Sequence, residues 1–179
     1  ADAVNKGADV IVTGAGHQSN WCTQTAAAAR KLRMKCVLIK SGPTDGYDPE
    51  EYDGNHLLHY LLGAEIKVAT SGNTKRVYDE TMEELKKKGH RPYLLTAAGS
   101  TPPGVLGYVN AVLEIVSQAV ERGIKIDYII HATGSGGTMS GLVLGAKALN
   151  TGIKIIGSSV SPGKERMVKN VTRLVNESA

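Results

Sequence analysis

The sequence is poor in aromatic residues. Its 179 residues include seven tyrosines, one tryptophan and no phenylalanine. The net charge is +4 at pH 7, and the basic residues are scattered except for three consecutive lysines, 86–88, in a mixed-charge helical stretch. A nucleic-acid-binding surface needs a concentrated basic stripe with aromatic rings for base stacking. We therefore expect no nucleic-acid partner.

Cysteines and long apolar runs are also scarce. Cys22 and Cys36 are the only cysteines, and they form neither a CxxC pair nor a metal-binding spacing with histidine. Two free thiols indicate a reducing compartment, so we expect a cytoplasmic protein. Burial of Cys22 as a small apolar side chain is favoured over a reactive thiolate near the start of a helix. No run reads as a membrane span or a signal peptide, so no membrane partner is expected.

Short Val- and Ile-rich runs alternate with longer helical stretches along the chain. The predicted strands are residues 9–13, 35–40, 65–69, 92–96, 127–132 and 154–159. The predicted helices are residues 21–32, 51–62, 74–88, 105–122, 138–149 and 164–175. This alternation predicts an α/β fold with three αβα layers around open, mostly parallel sheets.

Both ends of the sequence suggest a piece of a longer chain. Residues 1–7 read as the last turns of a helix that closes at Gly7, and the final residues read as an unfinished helix. We expect an internal fragment that is truncated at both ends.

The loop after the first strand, residues 13–20, begins like a dinucleotide-binding fingerprint. It contains Gly14 and Gly16, but Ser19 stands where the third glycine is needed. The next strand ends in Lys40 rather than in the acidic residue that would bind a ribose. The sequence therefore argues against an NAD-dependent enzyme.

The same loop presents Gln18, Ser19 and Asn20 at the start of a helix. Ser19 is either the N-cap of that helix or part of a carboxylate site built on free N–H groups. The neighbouring His17 is a weak candidate for a general base, because a single loop histidine is more often a hydrogen-bonding residue.

A second loop follows the apolar strand 127–132 and precedes a helix. Glycines there let backbone N–H groups converge, and hydroxyl groups add donors, which is the composition of a phosphate site at a helix N-terminus. The alternative is a tight turn with packing glycines. The loop lacks the lysine of a nucleotide-binding P-loop, so a phosphate carried by a cofactor fits better than ATP. Its residues are Thr133, Gly134, Ser135, Gly136, Gly137 and Thr138.

Three further features stay undecided or weak. Tyr108, at the end of the third loop at residues 98–108, is either a core residue or a wall of the site. His56 and His59 share one helix face, but no third ligand lies nearby in sequence, so no metal site is expected. Asn55 is either a helix cap or a loop anchor.

Taken in order, these motifs resemble the D-cysteine desulfhydrase / 1-aminocyclopropane-1-carboxylate (ACC) deaminase family. Its members are pyridoxal phosphate (PLP) enzymes of the tryptophan-synthase-β fold type, fold type II. The resemblance covers essentially all 179 residues. The motifs that carry it are GADVIVTGAGHQSN, DGNHLLHYLLGAE, GSTPPGVLGYV, ATGSGGTMSGL and IIGSSVS.

The resemblance implies roles for the loop residues. Residues 133–138 would hold the PLP phosphate and Asn20 would hydrogen-bond the cofactor's 3′-oxygen. Ser19, together with Gln18, would hold the carboxylate of a small amino-acid substrate.

The resemblance also implies two domains and a homodimer. Residues 1–96 would form mostly the small, cofactor-covering domain with the Gln-Ser-Asn loop. Residues 97–179 would form part of the larger PLP-binding domain.

Within the family, the Gly-Ser-Gly-Gly-Thr loop and the Gly-Tyr-Val at residues 107–109 favour D-cysteine desulfhydrase, which releases pyruvate, sulfide and ammonia. The alternatives are ACC deaminase, a lyase acting on another β-substituted alanine, and a non-catalytic truncation that binds PLP or phosphate.

The family's Schiff-base lysine is not found in this sequence. Its Asn-Lys-x-Arg-Lys motif would lie upstream of Ala1. Asn5-Lys6 is followed by Gly7 rather than by that motif, so Lys6 does not take the role. We therefore expect the 179-residue piece alone to be inactive.

Overall fold

The computed structural model describes residues 1–41, 51–70, 72–96, 99–160 and 163–179. The chain forms two compact units, residues 1–97 and 98–179. The assignment of these units to a cofactor-covering domain and a PLP-binding domain stays a prediction.

The first unit is built on a parallel sheet. Its elements, in chain order, are α1 (Asp2–Asn5), β1 (Val10–Ala15), α2 (Asn20–Lys31), β2 (Lys35–Ser41), α3 (Gly54–Leu61), β3 (Glu65–Ala69), α4 (Thr74–Lys87) and β4 (Pro92–Leu94). The strands pair in parallel in the order β3-β2-β1-β4.

Side chains alternate between the two faces of this sheet and form two cores. Ile11 and Leu38 pack with Ala26 of α2 on one face. Val12 packs with Leu85 of α4 on the other face. Helices therefore cover both faces of the sheet, which confirms the expected α/β class and layering for this unit.

The second unit contains α5 (Pro102–Glu121), β5 (Tyr128–Thr133), α6 (Gly137–Ala148), β6 (Lys154–Ser159) and α7 (Lys164–Ser178). Strands β5 and β6 pair in parallel. Helices α5 and α6 approach closely because Gly141 has no side chain: a Cβ there would lie 2.5 Å from the carbonyl oxygen of Val105.

Element boundaries differ from the predicted ones for local reasons. Helix α5 begins at Pro102 instead of residue 105, because proline is well suited to the first helical positions. Strand β1 continues through Ala15, so Gly14 lies inside the strand, where a Cβ would be 2.0 Å from the carbonyl oxygen of Ile39. Close strand packing, not a nucleotide, accounts for this glycine. Residues 97 and 98, at the predicted domain boundary and the start of the third loop, lie outside the described residues.

Helix α5 is long and apolar enough to cross a membrane by length and composition, unlike any run identified in the sequence. Most of that stretch is exposed. A helix of this kind is a weak indication of a membrane span, because core helices of soluble proteins meet the same criterion.

Candidate functional site

The second loop lies at the N-terminus of α6. Gly136 is the N-cap residue, with φ +93°, and no side chain caps the helix. The first amide groups of a helix have no acceptor within it, and their partial positive charge favours anions. The loop therefore presents an open set of N–H donors of the kind that binds phosphate.

The glycines of this loop lie so close to neighbouring residues that an added side chain would collide with them. A Cβ on Gly137 would lie 2.7 Å from the Ser100 Oγ, and one on Gly136 would lie 3.3 Å from the Val171 Cγ2. The positive φ of Gly136 also disfavours any other residue there. Backbone amides without obstructing side chains fit a cofactor phosphate.

The hydroxyl groups of the loop differ in placement. Ser135 is exposed, and its Oγ accepts a 2.6 Å hydrogen bond from the Ser100 Oγ. Thr138 is half-buried in the first turn of α6. Thr133 is buried and donates to the Met167 Sδ at 3.7 Å, so its hydroxyl belongs to the packing between β5 and α7.

Ser100 is a neighbour of this loop that sequence reasoning missed. It lies in the loop before α5, 35 residues before Ser135, and it contacts both Ser135 and the space beside Gly137. Only the Ser-Thr pair after Gly99 hinted at a polar role, and no spacing rule links it to the glycine loop.

The first loop is fixed at the N-terminus of α2. Ser19 is the N-cap, and its Oγ accepts from the backbone N–H of Cys22 at 3.3 Å. The capping bond uses the hydroxyl oxygen as an acceptor and leaves its hydrogen to donate to an anion. The two roles weighed for Ser19 are therefore compatible.

Gln18 binds the start of α3. Its Oε1 accepts from the backbone N–H of Asn55 at 2.8 Å and of His56 at 3.3 Å, and its Nε2 donates to Asp53 Oδ1 at 2.7 Å. With both ends of its amide occupied, Gln18 anchors the loop to α3. The structure thus gives it a structural role that the resemblance did not suggest.

Asn55 is a loop anchor. Its Nδ2 donates to the backbone carbonyl of Gln18 at 3.0 Å and to Asn20 Oδ1 at 2.7 Å. Asn20 is exposed at the first position of α2. The contact fixes the orientation of the Asn20 amide and leaves its Nδ2 as the donor for a ligand.

Histidines lie beside this loop. His59 is fully buried, and its Nε2 is 3.0 Å from the Thr23 Oγ1. Burial, with a smaller effect from the charge of Lys40, lowers the pKa of His59 to about 4. Burial also lowers the pKa of His17, which disfavours its cationic form. Among the described residues, no group of three His, Cys, Asp or Glu side chains is arranged to hold a metal.

The remaining candidates are placed as follows. Cys22 and Cys36 are buried in the core beneath α2, and burial raises the pKa of Cys36 to about 12. Tyr108 is partly exposed on α5, with its Cβ against Gly141. Lys6 pairs with Asp2 at 3.0 Å, and this contact raises the pKa of Lys6.

A family model described as pyridoxal-phosphate dependent enzyme matches residues 1–177. ACC deaminase of Burkholderia lata is 35% identical over 184 residues, covering 99% of this chain and 54% of that protein. A crystal structure of an ACC deaminase homologue is 39% identical, with a TM-score of 0.84, and covers 99% of this chain and 53% of that one.

A crystal structure of a threonine deaminase has a TM-score of 0.67 at 22% identity, over 85% of this chain and 44% of that one, and shares the fold. The chain spans about half the length of the curated relatives it matches.

Proposed function

The chain belongs to the pyridoxal-phosphate dependent enzymes, and on that premise we propose that the whole protein is an ACC deaminase. The observation that carries the proposal is the 35% identity to enzymes of that name across almost the entire chain. PLP is the cofactor of this family. When bound, it supplies an electron sink for breaking bonds at the α-carbon of an amino acid.

The residues of the second unit fit the phosphate of this cofactor. The uncapped amides after Gly136 would donate to the phosphate oxygens, and the Ser135 hydroxyl, which accepts from Ser100, retains its own hydrogen to donate. The charge-assisted bonds so formed are stronger than bonds between neutral groups.

The residues of the first unit fit an amino-acid carboxylate. The Ser19 hydroxyl and the first-turn amides of α2 are donors, and the positive end of the helix dipole favours an anion. Asn20, oriented by Asn55, would donate to the cofactor's 3′-oxygen. Gln18 would hold this loop against α3 instead of binding the substrate.

The names of the relatives support ACC deaminase over the D-cysteine desulfhydrase that the glycine-rich loop favours. D-cysteine stays the second candidate substrate because the Gly-Ser-Gly-Gly-Thr sequence of that loop is intact here. A homodimer and a cytoplasmic location stay predictions that rest on the resemblance and on the two free thiols.

A parallel rate assay tests the proposal. The full-length gene product is loaded with PLP and given ACC or D-cysteine at equal concentrations. ACC deamination consumes one water and yields 2-oxobutyrate and ammonia, whereas D-cysteine and water yield pyruvate, sulfide and ammonia. We expect a higher kcat/KM with ACC. A higher value with D-cysteine would transfer the assignment to the desulfhydrase, and turnover of neither would reject both.

A further inference from the structure

Lys40 is the largest fully buried side chain of the described residues, with 0% of its surface exposed. It lies near the end of β2, opposite Ala15 of β1. Lysine is almost never fully buried unless its charge is paired. Lys40 forms no ion pair with a carboxylate in the part of the chain that the structure describes. Because a buried, unpaired charge is destabilising, the position of Lys40 indicates a functional role.

The Lys40 ammonium holds the backbone of the first loop. Its Nζ donates to the carbonyl oxygen of His17 at 3.3 Å and to that of Gly16 at 3.5 Å. Burial lowers the pKa of Lys40, whereas Cys22, in the first turn of α2, is near enough to raise it. One side chain thus links β2 to the loop and lies near the helix that follows it.

These bonds set the direction of two peptide groups. The described chain has no cis peptide bonds, and in a trans peptide the C=O and N–H point in opposite directions. Because the carbonyls of Gly16 and His17 point at the buried ammonium, the N–H groups of His17 and Gln18 point away from it. They join the Ser19 hydroxyl and the first-turn amides of α2 as donors on the loop.

The positive charge of Lys40 favours an anion at the loop, as the orientation of these N–H groups does. The groups that face it are Cys22, Cys36, His17 and His59, and burial disfavours the charged forms of both histidines and of the Cys36 thiol. Burial also lowers the pKa of Lys40, so a negative partner at the loop would stabilise its ammonium form. No negative side chain among the described residues neutralises the ammonium. A carboxylate bound at the loop would supply the opposite charge.

We propose that Lys40 is a positioning residue that makes the first loop selective for a carboxylate. It does so by holding the carbonyls of Gly16 and His17 and by placing an uncompensated positive charge beneath the loop. The proposal rests on the function proposed above, in which this loop binds the carboxylate of the substrate.

The test compares two ligands on the full-length, PLP-loaded protein. The ligands are ACC and its primary amide, in which a neutral NH2 group replaces the negatively charged oxygen. Because ACC is expected to be turned over, the dissociation constants are taken from the concentration dependence of the rapid change in PLP absorbance on mixing in stopped flow. Lys40→Met removes the charge and the donor at nearly constant length. Lys40→Gln keeps a donor and removes the charge. Lys35→Met, at the exposed start of the same strand, is the matched control.

We expect Lys40→Met to weaken ACC binding about tenfold, the size of a lost interaction with a charged group. Binding of the amide and the PLP content should change little, and KM should rise more than kcat falls. Lys40→Gln should show a smaller loss of the same selectivity, and Lys35→Met none. Equal weakening of acid and amide, or no weakening, would overturn the proposal.

Two further observations keep the test decisive. If Lys40→Met does not fold, Lys40→Gln carries the comparison, and the wild-type protein must in any case bind the acid more tightly than the amide. If the wild type binds ACC selectively through Lys40 but does not turn it over, the substrate assignment fails while the role of Lys40 stands.

Discussion

Gly137 is small because Ser100 occupies the space that a side chain would need. The ideal Cβ lies 2.7 Å from the Ser100 Oγ and 3.3 Å from its Cα. An alanine there must displace Ser100 and its hydrogen bond to Ser135. At the residue scale, therefore, the phosphate loop depends on close packing as much as on its hydrogen-bond donors.

We expect Gly137→Ala to reduce the affinity of the full-length protein for PLP and for inorganic phosphate about tenfold, because overpacking distorts the loop. Titration of the apoenzyme with PLP, followed by absorbance, gives the PLP affinity. Competition by inorganic phosphate in the same titration gives the phosphate affinity. The matched control is Gly107→Ala on α5, where nothing lies within 4 Å of the added Cβ. Unchanged phosphate affinity in Gly137→Ala would rule out the assignment of this loop.

Ser19 allows capping to be separated from ligand binding. Aspartate caps as well as serine but has no hydroxyl hydrogen and carries a negative charge, so Ser19→Asp should retain stability within about 0.5 kcal/mol. Its KM for the amino-acid substrate should rise at least about tenfold. Ser19→Ala should lose about 1 kcal/mol of stability as well. Urea titration and steady-state kinetics measure the two effects, and an unchanged KM in Ser19→Asp would exclude carboxylate binding by Ser19.

At the scale of elements, α2 and α3 are coupled through Gln18 and Asn55. The N-terminus of α3 has no side-chain cap of its own, and the Gln18 side chain accepts from its first amides. The loop that is proposed to bind substrate is therefore attached to α3 as well as to β1 and α2.

Gln18→Ala removes the side chain that caps α3 from outside the helix. We expect amide hydrogen exchange at residues 55–57 to accelerate by about tenfold, the equivalent of a typical cap. Gln24→Ala, an exposed position on α2, is the control. A substrate KM that rises without faster exchange at α3 would instead indicate direct substrate binding by Gln18.

The packing of α3 on α2 also predicts a pH dependence. Burial lowers the pKa of His59 from 6.5 to about 4, so the unfolded chain binds a proton in a range where the folded protein does not. The contribution of neutral His59 to the free energy of unfolding is complete above pH 6.5. It is lost as the pH falls toward 4, by up to about 3 kcal/mol. His59→Gln should flatten this part of the stability profile measured by urea titration, whereas His131→Gln should not. A profile that keeps its full slope in His59→Gln would contradict this account.

At the scale of the whole molecule, the class of fold could be predicted and the tertiary contacts could not. Apolar periodicity is local, so the strands and helices were predicted to within a few residues, and the motif order indicated the family that the comparisons confirm. Ser100, Lys40 and the Gln18 cap were missed because each depends on contacts between distant residues. No pattern within a short stretch of sequence indicates such contacts.

The two-stranded sheet of the second unit leaves an apolar face exposed. Tyr128, Ile130 and Ile156 are 53%, 71% and 45% exposed, and Ile130 and Ile156 are neighbours in register. Such patches favour association. In light scattering, we expect the 179-residue chain to self-associate and Ile130→Lys to reduce this. Leu32→Lys, at an exposed position between Lys31 and Arg33 at the end of α2, should have no effect. Equal effects of the two changes would argue against a role for this face.

We propose that this chain supplies the phosphate and carboxylate loops of a PLP enzyme and that none of its own lysines forms the Schiff base. The most direct measurement treats the full-length, PLP-loaded protein with borohydride, which fixes the lysine–cofactor bond, and locates the modified lysine by peptide mass mapping. We expect the label outside the 179 residues, and no label when this chain alone is treated. A label on Lys6, Lys40 or any other lysine of this chain would contradict the account.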